Sequence, residues 1–210
     1  MRKRLAAILV SSGAAAAVAL GTTAALASSI NATWTVSPGG SVSASGSGQV
    51  KDATTTTVAT CTSITMAGTL ESGSGLSGTG IGSITSASFS GCTVGTIGVS
   101  VAVHGLPWVL NAKKFNSTTN TAIGNVTGID LVASTTGCTA TLDGTAAGAD
   151  NGIVGIKYNN GTGKIKLTSG SGANLHSWGV VGCFGLINNG DVQKASGTLT
   201  VTPKQKITSP

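Results

Sequence analysis

Asn159-Asn160-Gly161 stands between two short runs that alternate apolar residues with lysine, Ile156-Lys157-Tyr158 and Ile165-Lys166-Leu167. The same arrangement recurs in kind along most of the chain. Asn-Gly supplies left-handed backbone at a tight turn, and a run of period two buries one face of a strand. Related punctuation falls at Pro38-Gly39-Gly40, Asp143-Gly144, Asn151-Gly152 and Asn189-Gly190. Between these breaks lie β-prone runs at Thr33–Val36, Gly40–Gly46, Thr55–Cys61, Ile64–Leu70, Ile81–Ser90, Thr96–His104, Trp108–Ala112, Gly124–Val132, Thr139–Asp143, Gly152–Asn159, Gly163–Thr168 and Gly197–Val201. Helical periodicity of useful length is confined to the leader described below. The spacing predicts an all-β fold, an antiparallel sandwich or barrel-like arrangement of about ten to twelve short strands. Gly73–Gly82 reads as a mobile Gly/Ser-rich loop.

Two segments echo others. Thr33-Trp34-Thr35-Val36-Ser37-Pro38 matches Thr198-Leu199-Thr200-Val201-Thr202-Pro203, each reading as a strand stopped by a proline that cannot donate to a ladder. Gly82-Ser83-Ile84-Thr85 leading to Gly91-Cys92-Thr93 resembles Gly124-Asn125-Val126-Thr127 leading to Gly137-Cys138-Thr139, an echo that two related half-sandwiches would produce.

Residues 1–27 carry the marks of a helical secretory signal peptide. Arg2, Lys3 and Arg4 precede an apolar run from Leu5 to Leu20, and Ala25-Leu26-Ala27 forms a small-residue cleavage site before Ser28. Cleavage after Ala27 would leave residues 28–210 as a single secreted β domain. The run is short and rich in alanine, which argues against a membrane span. With Ser28 rather than a lipid-acceptor Cys directly after the cleavage site, and no apolar stretch at the C-terminus, an extracellular protein released by the general secretory route is expected, not membrane-embedded after cleavage.

Cys61, Cys92, Cys138 and Cys183 all follow the leader, and an even count in an exported chain favours two disulfides. Three connectivities are open. Cys61–Cys92 with Cys138–Cys183 is preferred because each half of the chain is then stapled internally. In the chain-entropy model, loops of this size stabilise by roughly 3.5–4 kcal/mol each. Zinc is the rival ligand and is disfavoured, since no pair of cysteines has C-x2-C spacing.

Removing the three basic residues of the leader from the twelve in the chain leaves nine lysines against six acids, about +3. That balance lacks the dense Lys/Arg patch of a nucleic-acid footprint, and no Arg remains to grip phosphate bidentately. The polar surface must come from Ser, Thr, Asn and Gly. Catalytic signatures are sparse. No G-x-S-x-G elbow selects a serine, so a hydrolase would have to rest on His104 or His176. Asp143, Asp150 and Asp191 adjoin Asn or Gly, which is turn chemistry before it is general-base chemistry. H-x-H, H-E-x-x-H and acidic calcium-loop patterns are missing, so no metal, cofactor or catalytic residue is assigned. Trp34, Trp108 and Trp178 are either core plugs among small neighbours or a carbohydrate-stacking ligand surface. The composition favours the core. One Tyr, three Trp and three Phe are too few for the aromatic girdles of a membrane barrel.

Leu106-Pro107-Trp108-Val109-Leu110-Asn111-Ala112 resembles the LPW-x-LNA segment of a family of small exported proteins of actinobacteria, streptomycetes among them. Gly137-Cys138-Thr139-Ala140, Gly185-Leu186-Ile187-Asn188-Asn189-Gly190-Asp191 and the closing Val201-Thr202-Pro203 to Ile207-Thr208-Ser209-Pro210 resemble it too. The resemblance implies an extracellular, actinobacterial origin; the family carries no assigned activity to transfer. The expectation is therefore a secreted non-enzymatic structural or binding protein acting at or beyond the cell envelope. The alternatives are a carbohydrate-binding module on cell-wall or extracellular polysaccharide, a hydrolase, and a protease inhibitor, for which no reactive loop other than Gly73–Gly82 stands out.

Overall fold

The computed structural model describes residues 33–170 and 172–210, so the leader expected at residues 1–27 lies outside the described residues. The described chain is all β: β1 (Trp34–Ser37), β2 (Gly40–Asp52), β3 (Val58–Leu70), β4 (Gly73–Leu76), β5 (Gly82–Val94), β6 (Ile97–His104), β7 (Trp108–Asn116), β8 (Thr121–Thr135), β9 (Cys138–Asp143), β10 (Gly152–Asn159), β11 (Lys164–Thr168), β12 (His176–Val181), β13 (Gln193–Thr202) and β14 (Lys206–Thr208). Eleven strands form one antiparallel sheet and three form another, in the order β14-β1-β4.

The large sheet closes on itself. β10, β11, β13, β2, β3, β5, β7 and β8 follow one another in hydrogen-bonded order, and β10 pairs back onto β8. Closure removes exposed edges, which a long strand such as the 13-residue β2 would otherwise present. The hinge of the design is β8, 15 residues long. Its first half lies between β7 and β10; its second half lies between β6 and β9. β6 and β7 thus run end to end along one side of β8, and β10 and β9 along the other.

Side-chain alternation puts carbon inside and hydroxyls outside. Along β2, Val42, Ala44 and Val50 face inward, while Ser41, Ser43, Ser45 and Lys51 are exposed; β13 exposes Lys194, Ser196, Thr198 and Thr200 in the same way. A polar outer wall is the inverse of the apolar band that lipid contact requires. No helix among the described residues is long and apolar enough to cross a membrane. The small sheet covers the barrel end where β3 finishes and β5 begins. There Trp34, Val36, Ile81 and Ala122 form a core with Leu76, Phe115 and Ile207 packed against it. The opposite end is covered by Leu175 and by a buried polar group, in which the Gln193 side-chain amide donates to Asp52 Oδ2 at 2.8 Å and to Ser177 Oγ at 3.3 Å.

Of the three open connectivities, the preferred one is formed, with each half of the chain stapled internally. Cys61–Cys92 links directly opposed residues of β3 and β5, and Cys138–Cys183 ties the start of β9 to the loop after β12. The two proline-stopped strands meet through buried Gln205, whose Oε1 accepts from Gly39 N at 2.8 Å. Other expectations need correction. The runs at 55–61 and 64–70 are one strand, β3, and the expected loop Gly73–Gly82 contains β4, held in register by β1. β12 and β14 are strands that the sequence pattern did not announce. The two-half echo has no counterpart either: Gly82–Thr93 belongs to one strand, whereas 124–139 spans β8, a turn and the start of β9. The hairpin at Asn159-Asn160-Gly161 is present, but its left-handed glycine is Gly163 rather than Gly161. The Asn159 side chain accepts from Thr162 N at 2.9 Å and closes a longer loop than the Asn-Gly pair alone would make.

Candidate binding cavity

Eight strands enclose an interior that side chains fill or that holds one small ligand, depending on their size. Here small inward residues, Ala44, Gly48, Val50 and Ala59 on β2 and β3, Ala87 on β5, Val99 and Val101 on β6, stand among larger ones such as Ile64, Met66, Phe89 and Leu199. They leave a cavity of about 210 Å³ walled almost wholly by apolar atoms. Several of these residues face inward yet are only half-buried, among them Val50, Met66, Phe89 and Val101. The interior is incompletely filled.

The wall beside it is interrupted on one side. β5 pairs with β6 at Cys92–Val94 opposite Ile97–Val99, and with β7 at Gly82–Ile84 opposite Trp108–Leu110. Between these contacts Thr85–Gly91 has no ladder partner on that side, and Ser100–His104 pairs only with β8. The two edges part and rejoin, leaving a window. Trp108 marks its lower corner, 1% exposed, with its indole N–H donating to the His104 carbonyl at 3.0 Å across the turn Gly105-Leu106-Pro107.

The sequence-predicted aromatic surface is not formed. Trp34, 2% exposed, and Trp108 belong to separate cores, and Trp178 is half-buried, donating to the Gly144 carbonyl at 3.2 Å. Trp34 and Trp178 come from opposite ends of the barrel, so the three tryptophans cannot stack on one glycan. As the composition suggested, two of them fill space that small neighbours leave.

The histidines fall on a shared register row, His104–Asp130 between β6 and β8 and Asp143–His176 between β9 and β12. Sequence reading missed this row, because only strand register brings the four together. Asp143 and His176 are already engaged. Asp143, fully buried, accepts backbone N–H from Gly144, Ala149, Asp150, Asn151 and Gly152 at 2.6–3.0 Å, and so holds the loop between β9 and β10. His176 Nδ1 lies 3.1 Å from the Gly190 carbonyl oxygen. Among the described residues no group of His, Cys, Asp and Glu has metal-holding geometry. Asn188–Asp191 is a turn, with Asp191 Oδ2 accepting from Asn188 N at 2.9 Å.

Asp130 is the uncompensated member of the row. It is 7% exposed and its Oδ1 has no hydrogen-bond partner. Burial, reinforced by the Asp143 and Asp150 carboxylates, pushes its carboxyl above the usual carboxylate range, against the opposing pull of His104. A raised carboxyl in the folded state favours the protonated form. Its contribution is therefore fully present below about pH 3.9, the unfolded value, and is lost as pH rises through the folded one. Asp130→Asn is accordingly expected to stabilise the protein by about 1 kcal/mol at pH 7 and by little at pH 3. Urea midpoints at the two pH values check this; equal shifts would contradict it. Asp52 behaves oppositely. Burial raises its carboxyl, but hydrogen bonds from Thr55 N, the Gln193 amide and Thr54 N outweigh it and hold the group low.

Comparison of the chain with protein-family models, with curated proteins and with solved structures found no match.

Proposed function

We propose that this is a secreted, non-enzymatic binding protein that carries a small apolar molecule inside its barrel. The observation that supports the reading is the hollow apolar interior. At about 24 cal/mol per Å³, an empty cavity of 210 Å³ costs about 5 kcal/mol relative to a filled one. That is comparable to the whole stability of many domains, and Ala-to-Leu changes would remove it cheaply if the space served nothing. A cavity of about 150 Å³ binds benzene, so this one accommodates a molecule somewhat larger, a terpenoid or alkyl chain. The two disulfides suit an oxidising compartment, and the leader-like residues 1–27 support release by the general secretory route, in line with an actinobacterial exported protein.

The test is binding of the uncharged dye N-phenyl-1-naphthylamine, read by fluorescence, to the wild type and to Ala44→Leu. The dye should bind the wild type and raise its Tm. Ala44→Leu, filling the space, should weaken dye affinity at least tenfold and stabilise the unliganded protein by about 1 kcal/mol. A well-packed interior would behave otherwise: no dye binding, and destabilisation by overpacking of about 1–3 kcal/mol.

A further inference from the structure

Resting on that reading, we infer that the ligand enters through the lateral window between β5 and the β6–β7 edge, and that it is a single-chain amphiphile with an uncharged hydrogen-bonding head. The ends of the barrel offer no route. One is closed by the three-stranded sheet with Trp34 and Val36, and the other by Leu175 and the Gln193–Asp52–Ser177 hydrogen bonds. The β5 ladder is interrupted over Thr85–Gly91 opposite Ser100–Pro107, and this is the break in the wall that we assign to entry.

Chemistry changes sharply across this opening. Inside stand Ala87, Phe89, Val101 and Val103, packed against the main core. On the rim, backbone N–H and C=O groups that a continuous ladder would have paired are left to solvent or to a ligand, since buried backbone groups do not stay unpaired. Ser86, Ser88 and Ser90 on one edge and Ser100 on the other add hydroxyls. A molecule satisfying both zones has a hydrocarbon tail in the cavity and a head that both donates and accepts hydrogen bonds. Neither Thr85–Gly91 nor Ser100–Pro107 contains Lys, Arg, Asp or Glu, which favours a neutral head along the serine-lined stretch; the Asp150 carboxylate lies against Gly105, in the turn at one end of the opening. The one titratable side chain on these edges, His104, lies opposite buried Asp130 in the ladder.

The experiment measures dye association and dissociation by stopped flow in the full chain. Ser88→Cys places a thiol on the outer, exposed side of the window edge; Thr198→Cys places one on β13, away from it. Each is labelled with a bulky maleimide, which leaves the cavity wall untouched. Labelling at position 88 should slow association and dissociation together by at least tenfold, with Kd changed less than threefold, and labelling at 198 should change neither. In competition, 1-decanol should displace the dye at concentrations at least tenfold below those needed for decanoate or decyltrimethylammonium. Rates indifferent to the label at 88 would overturn the entry route while leaving the barrel reading intact. Equal displacement by decanoate would overturn the neutral head. Dye binding absent from the wild type would remove the barrel reading itself. Concentration-dependent dimerisation that protects Thr85–Gly91 amides would show a second copy's strand filling the window, and would also overturn the inference.

Discussion

Replacing Asp143 with alanine is expected to cost about 4 kcal/mol or more, the largest effect of any polar substitution in the fold. One carboxylate accepts five backbone N–H groups from the loop that joins β9 to β10, two through Oδ2 and three through Oδ1. Hydrogen bonds to a charged group are worth about 1.5–3 kcal/mol each, and a buried donor left without its partner costs about 1–3 kcal/mol. Solvent will reach some of the freed donors, so the sum overstates the loss. Asp143→Asn keeps the shape but turns an N–H₂ toward two donors, and an intermediate loss of about 2 kcal/mol follows. Urea unfolding gives the totals. Amide exchange at residues 144–152 locates the effect, since those protons should lose protection ahead of the barrel strands. A loss below about 1 kcal/mol for Asp143→Ala would mean that the loop is held by something else.

The sequence made the Asp143-Gly144 turn legible but not this role, because the donors become convergent only once the loop has folded back over its own start. The same division runs through the molecule. Strand chemistry and most turn positions follow from local composition, and the preferred one of three open cysteine pairings, each half stapled internally, is the one formed. Closure does not. It depends on β8 being long enough to pair with four other strands, while the run recognised at Gly124–Val132 stops short of both ends. The cavity was hidden for a different reason. Ala44 lies in the predicted run Gly40–Gly46 and Val101 in Thr96–His104, while Val50 lies in none, and only the closed barrel turns all three, half-buried, toward one interior. The tryptophans illustrate the limit of composition: it favoured a core role, yet only the fold places Trp108 at the window and Trp34 in the cap.

Trp108 is where stability and access meet, and its variants should separate the two. Trp108→Ala removes a side chain 1% exposed that packs with Ile84, Val126, Ile129 and Val154, and large aromatic deletions of this kind cost about 3–5 kcal/mol. Trp108→Phe retains most of that burial and loses the indole N–H that the His104 carbonyl accepts at 3.0 Å, a cost of about 1 kcal/mol. The lost hydrogen bond, however, is the one that fastens the turn Gly105-Leu106-Pro107 beneath the window. Trp108→Phe should therefore speed dye dissociation several-fold while lowering the urea midpoint only slightly, whereas the cavity-filling Ala44→Leu should weaken binding while raising the midpoint. If the tryptophan were a core plug and nothing more, dissociation would quicken only in proportion to lost stability. A variant that releases dye faster at nearly unchanged stability thus assigns Trp108 to the gate as well as to the core.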